Sequence, residues 1–132
     1  MPAALTRWRA AGRKAVGNTS ANACGATASQ PFIELGLIRK TYTWAEHLVT
    51  ALKATGEFDA SPNRGDIQRG DLIVCEDGNR NGATDHVWIV AKDYGAGWFG
   101  CFDNQTKYLI HRRRVDGADG KTPMRGRLRL LT

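Results

Sequence analysis

Cysteine is scarce in this chain of 132 residues, with only Cys24, Cys75 and Cys101 and no CxxC pair. An odd count without paired spacing argues against a disulfide framework and a cysteine-rich zinc site, and it leaves at least one thiol free. Long apolar runs are also missing, since none approaches the roughly 18 residues of a membrane span. The opening stretch MPAALTRWRAAGRKAVG has no unbroken apolar core, because Arg7, Arg9, Arg13 and Lys14 interrupt it. A secretory signal needs such a core. The expectation is synthesis in the cytoplasm without a signal peptide, with lysis or a secretion machine as the routes to a cell wall or periplasm. No internal repeat, low-complexity tract or linker divides the chain. A single domain over residues 1–132 follows, large enough to fold without staples.

Acidic residues run short at one end. Residues 1–106 balance 11 Lys/Arg against 11 Asp/Glu, whereas residues 107–132 carry 8 basic and 2 acidic groups and supply the whole excess of +6. A basic segment attracts polyanions such as nucleic acid, anionic lipid or an anionic wall polymer, and it equally suits a merely solvated surface. Both alternatives stay open.

What is present is ordered. A basic helix is predicted from Leu5 to Val16 within residues 1–17, with Gly17 as its stop. A second helix holds Cys24 in its first turn, capped by Ser20 or Asn22, with Ala28, Phe32 and Leu35 on one face. Pro31 should kink or end it. Thr43 and Glu46 have the spacing of a capping box for a third helix whose apolar face is Trp44, Leu48, Ala51 and Leu52, stopped by Gly56. Strands are predicted at Leu72–Cys75, Val87–Ala91, Trp98–Phe102, Tyr108–His111 and Arg125–Leu131, the last with its arginines outward, and KDYGAG reads as a hairpin connection. Helices first and strands second give an α+β domain, with N-terminal helices packed on an antiparallel sheet of about five strands.

The stretch Gly70–Val90, GDLIVCEDGNRNGATDHVWIV, organises the candidate chemistry. His86 opens a strand, and Cys24 opens a helix. A thiol is a strong nucleophile as thiolate, which a helix N-terminus and a nearby imidazolium both stabilise. A third polar group must orient the imidazole, and Asp103, Asn104 and Gln105 follow the next strand, where a hairpin of two comparable arms returns towards His86. Small neighbours such as Gly25 leave room for a substrate, and Trp88 could wall the cleft. Cys75 and Cys101 read as core, His47 and His111 as surface groups, and Trp44 and Trp98 as packing residues.

GDLIV, then a polar loop, DHVWIV and a polar residue after the next strand resemble the CHAP and NlpC-type branch of the papain-like cysteine peptidases and amidases. The resemblance covers roughly residues 20–106. It implies a papain-like fold, a Cys24–His86–Asp103 triad with Asn104 or Gln105 as substitutes, and an amide-bond hydrolase acting on peptidoglycan peptides without a cofactor. Such an enzyme would be a phage lysin or a secreted effector. Asn18 stands where the papain-like proteins place an oxyanion-hole glutamine, beside the Cys24 backbone N–H. Trp88 replaces a small residue of that pattern, and NACGAT lacks its aromatic residues.

Other functions fit the same residues. An inactive module of the same fold could bind a polyanion through residues 107–129, and a cysteine protease or deamidase could act on a protein target. Asp77, Asn79, Asn81 and Asp85 follow the spacing of a calcium loop, but Trp88 stands where a bidentate Glu is required and Arg80 opposes a cation, so a tight polar hairpin is favoured. The partners to consider are a peptidoglycan or other peptide substrate, an anionic polymer on the basic segment, and an immunity or inhibitor protein.

Overall fold

The structure, a computed structural model, describes residues 2–16, 23–75, 86–103 and 108–131. Three helices, α1 (Pro2–Ala15), α2 (Cys24–Glu34) and α3 (Ala45–Ala54), precede six strands: β1 (Phe58–Ser61), β2 (Leu72–Cys75), β3 (Val87–Gly95), β4 (Trp98–Phe102), β5 (Ile110–Arg114) and β6 (Met124–Leu130). The strands form one antiparallel sheet in the order β1-β6-β2-β3-β4-β5. The α+β class agrees with the sequence, but there are six strands rather than about five. The extra one is β1, whose four residues FDAS are too short and too little buried to stand out, and which is held by pairing with β6, Phe58 opposite Leu130.

Alternation along β2 and β3 divides the core. Leu72, Val74 and Val87 pack with Phe32 of α2 and Leu48 and Leu52 of α3. Ile73, Cys75, Trp88 and Val90 form a second cluster with Phe99, Cys101, Val115 and Met124. Successive strand side chains point to opposite faces, so each strand serves both clusters.

Several helix ends differ from the expectations. Ala23 is the N-cap of α2 and makes no side-chain cap bond; Ser20 and Asn22 lie outside the described residues. Pro31 neither ends nor splits α2, which runs on to Glu34 and closes at Gly36 with φ +76. Leu35 is the C-cap and is exposed. Trp44 is the N-cap of α3 and exposed, so the Thr43–Glu46 box falls one residue out of register and the apolar face begins at Ala45.

Arg127 does not face outward. It is buried and donates to the carboxylates of Asp59 and Asp66 at 2.8 Å each. Arg129 grips the buried Asp71 through both oxygens at 2.9 Å, and the Gln68 N–H adds a bond of 2.8 Å. Asp71 of the Gly-Asp pair therefore ties the loop before β2 to β6. A guanidinium loses its solvation cost only when such partners surround it, which is why an alternating pattern of arginines need not mean a solvated face.

The β3–β4 connection is a two-residue turn in which Ala96 (φ 54) and Gly97 (φ 83) both have positive φ, the mark of a type I′ hairpin. Ala96 is strained there and exposed. Ala96→Asn should stabilise the domain by about 1 kcal/mol, since asparagine tolerates this conformation. Thermal unfolding would show it as a rise in Tm of a few degrees.

Candidate active site

Cys24 is the first residue of α2, where the opening backbone N–H groups of a helix have no intrahelical acceptor. Its thiol is 8 % exposed. Burial pushes it up, but the hydrogen bond and charge of His86, with bonds from the Val87 and Gly25 backbones, outweigh burial and set it below the ordinary thiol value. Burial dominates the other two thiols: against the opposing Arg113 charge it pushes Cys75 up to about 11, and together with the neighbouring Asp103 carboxylate it pushes Cys101 well above the usual range. Cys24 is the thiol suited to be a nucleophile.

His86 is fixed from both sides. Its carbonyl accepts from the Cys75 N–H at 3.0 Å, which continues the β2–β3 ladder. Its ring Nε2 meets Asp103 Oδ2 at 2.9 Å. Because an ionised carboxylate only accepts, Nε2 carries the proton and Nδ1 remains for the Cys24 sulfur. Burial lowers His86, yet the bonds to Asp103 and Cys24 overcome it and raise it above the ordinary imidazole value. The opposed shifts of Cys24 and His86 favour a thiolate beside an imidazolium.

Asp103 follows β4 directly, and the register of Ile89 opposite Phe102 carries it to the His86 end of the sheet. It is 2 % exposed and surrounded by donors. Besides His86, His111 Nε2 meets Oδ1 at 3.0 Å and the Cys101 thiol donates to Oδ2 at 3.4 Å. Arg9, which donates to the Tyr108 carbonyl at 2.9 Å, has a charge that also feels Asp103.

Cys24, His86 and Asp103 are thus brought together. Asn18, Asn104, Gln105 and the loop residues Asp77, Asn79, Asn81 and Asp85 lie outside the described residues. Two cleft assignments do not hold. Trp88 is 1 % exposed, within the second core cluster, with the Arg113 guanidinium over its ring at 5.6 Å. Gly25 does not open the site to substrate. A Cβ there would come within 3.0 Å of the Ala45 nitrogen and the Tyr42 carbonyl oxygen, so glycine serves the close approach of α2 to the 42–45 segment.

His111 is not a free surface histidine. Its run HRRR suggested a solvated edge, whereas cross-strand pairing with Cys101 aims it at Asp103. Only that register could have identified it. Donor atoms of Cys101, Asp103 and His111 lie within 4.8 Å of one another, a spacing that could hold a metal ion. Burial keeps Cys101 a thiol, however, and both Asp103 oxygens accept from imidazoles, so as arranged the cluster is a hydrogen-bonded cradle for the carboxylate.

Among the described residues no helix is long and apolar enough to cross a membrane. No family model, curated protein or solved structure matches this chain.

Proposed function

We propose that the protein is a cysteine hydrolase of amide bonds, with peptidoglycan peptides as its substrate class. The observation that carries the proposal is the linked series of Cys24 at a helix start, His86 and buried Asp103, with Cys24 lowered and His86 raised. The peptidoglycan assignment rests on the resemblance of GDLIV and DHVWIV to the CHAP and NlpC-type enzymes, of which this chain would be a papain-like relative.

In that chemistry the Cys24 thiolate attacks the carbonyl carbon and the oxygen takes up the negative charge. Backbone N–H groups at the start of α2 stabilise it. The C–N bond breaks as the His86 imidazolium gives its proton to the leaving amine, and the acyl group stays on sulfur. Neutral His86 then takes a proton from water, whose oxygen displaces the thiolate. Asp103 holds the ring by Nε2 throughout, so Nδ1 stays on the sulfur side.

Binding of a polyanion by the basic segment draws less support. Arg114 pairs with Asp116, and Arg127 and Arg129 pair with aspartates. Charge already matched inside the fold adds little to an external field.

The test is digestion of purified muropeptides with separation of products by mass spectrometry. A new amine and carboxylate at one peptide bond, formed only with Cys24 present, are expected. An unchanged muropeptide, with turnover of a protein substrate instead, would reassign the substrate class and keep the chemistry.

A further inference from the structure

Asp103 can orient His86 only if it is itself oriented. The terminal torsion of an aspartate is broad and weakly restrained, and β4 ends at Phe102, so the strand ladder does not extend to Asp103. Its Oδ2 takes the His86 Nε2–H, with the longer thiol contact from Cys101 on the same oxygen. The other oxygen, Oδ1, meets His111 Nε2 at 3.0 Å.

We infer that His111 is a positioning residue, acting through Asp103 to hold His86 against Cys24. This inference rests on the proposed thiol chemistry and adds to it a fourth side chain that the triad alone does not require. His111 is well placed for the task. Cross-strand pairing with Cys101 fixes its backbone, and its side chain is 10 % exposed. A carboxylate gripped on each oxygen by a different ring cannot turn about its torsion without breaking a charge-assisted bond in a nearly dry environment. Removing the His111 donor takes away one of the two rings that grip this buried carboxylate and loosens its hold on the plane that faces His86. His86 would then lose both its proton acceptor and its fixed ring plane, and the thiolate of Cys24 its counter-ion.

The experiment compares wild type with His111→Phe, which keeps a ring but has no donor, and His111→Gln, whose amide N–H can reach the same oxygen. Two readouts are taken: the rate of Cys24 alkylation against pH, and the NMR signal of the His86 Nε2 proton, which is shielded from exchange while Asp103 accepts it. In His111→Phe, alkylation at about pH 6 should fall roughly tenfold and the ring proton should broaden into solvent exchange, the scale expected for losing a hydrogen bond to a charged group. His111→Gln should restore both. Equal behaviour of wild type and His111→Phe overturns the inference, as does equal impairment of both variants in step with lost stability. If wild-type Cys24 titrates as a free thiol, the hydrolase proposal fails, while the His86 ring proton still decides whether His111 positions Asp103. Should His111→Phe not fold, the wild-type spectrum and His111→Gln decide. A His111 Nε2 proton in free exchange with solvent, or a His86 proton lost in the glutamine variant, contradicts the role.

Discussion

Cys24→Ser should abolish amide hydrolysis, a fall on the order of 10⁴- to 10⁶-fold, with the fold intact. Serine is nearly the size of cysteine, so the tightly packed start of α2 accommodates it. Its hydroxyl, however, is far less acidic, and the groups that draw the Cys24 thiol down, the His86 ring and the Val87 and Gly25 backbones, cannot make it an alkoxide at neutral pH. His86→Ala should cost about as much, because a thiolate without its imidazolium has neither counter-ion nor proton for the leaving amine. Combining the two should cost little more than either alone, as for residues that act as one unit. Muropeptide turnover measures all three. A Cys24→Ser protein that retains a substantial part of wild-type turnover would place the chemistry elsewhere.

The second large effect concerns the support beneath that cysteine. Gly12 of α1 lies against Thr27 of α2 so closely that an added Cβ would fall 2.5 Å from the Thr27 Cα and 2.6 Å from its nitrogen. Two effects compete in Gly12→Ala. Helix propensity favours alanine by about 1 kcal/mol. The clash is with backbone, which cannot swing aside as a side chain could, so α1 and α2 must separate at a cost of about 3 kcal/mol. The clash wins, and the net loss should be about 2 kcal/mol in denaturant unfolding. Thr27 is three residues beyond Cys24, so the same displacement should also slow Cys24 alkylation. A stabilised Gly12→Ala protein would mean that the helices do not approach this closely.

Much of this was legible in the residues. The strands Leu72–Cys75 and Trp98–Phe102 keep the bounds that their apolar runs imply, since buried strands between turn residues declare themselves. The meeting of His86 and Asp103 follows from hairpin arms of comparable length, which sequence can count. Less legible were features set by distant partners. β1 depends on β6, the buried Arg127 on Asp59 and Asp66, and His111 on its register with Cys101. Gly25 and Trp88 are a different lesson. A small residue beside a nucleophile suggests access and an indole beside a histidine suggests a cleft wall, yet both are consumed by packing. The basic segment misleads for a similar reason, because charge read along the chain does not reveal which arginines have aspartates waiting in the fold.

The central claim is that Cys24 and His86 form a thiolate–imidazolium pair. Alkylating the folded protein with iodoacetamide from about pH 5 to 9, and locating the label by peptide mass spectrometry, tests it without a substrate. The lowered Cys24 value means that its thiolate is already present below the ordinary thiol range, and the raised His86 value that the imidazolium persists above the ordinary imidazole range. Labelling should therefore reach Cys24 first, with an onset well below the free thiol value of about 8.5, and should spare Cys75 and Cys101. His86→Ala should move that onset upward. A Cys24 that labels only as a free thiol does, or whose labelling ignores His86, would contradict the pair and with it the hydrolase.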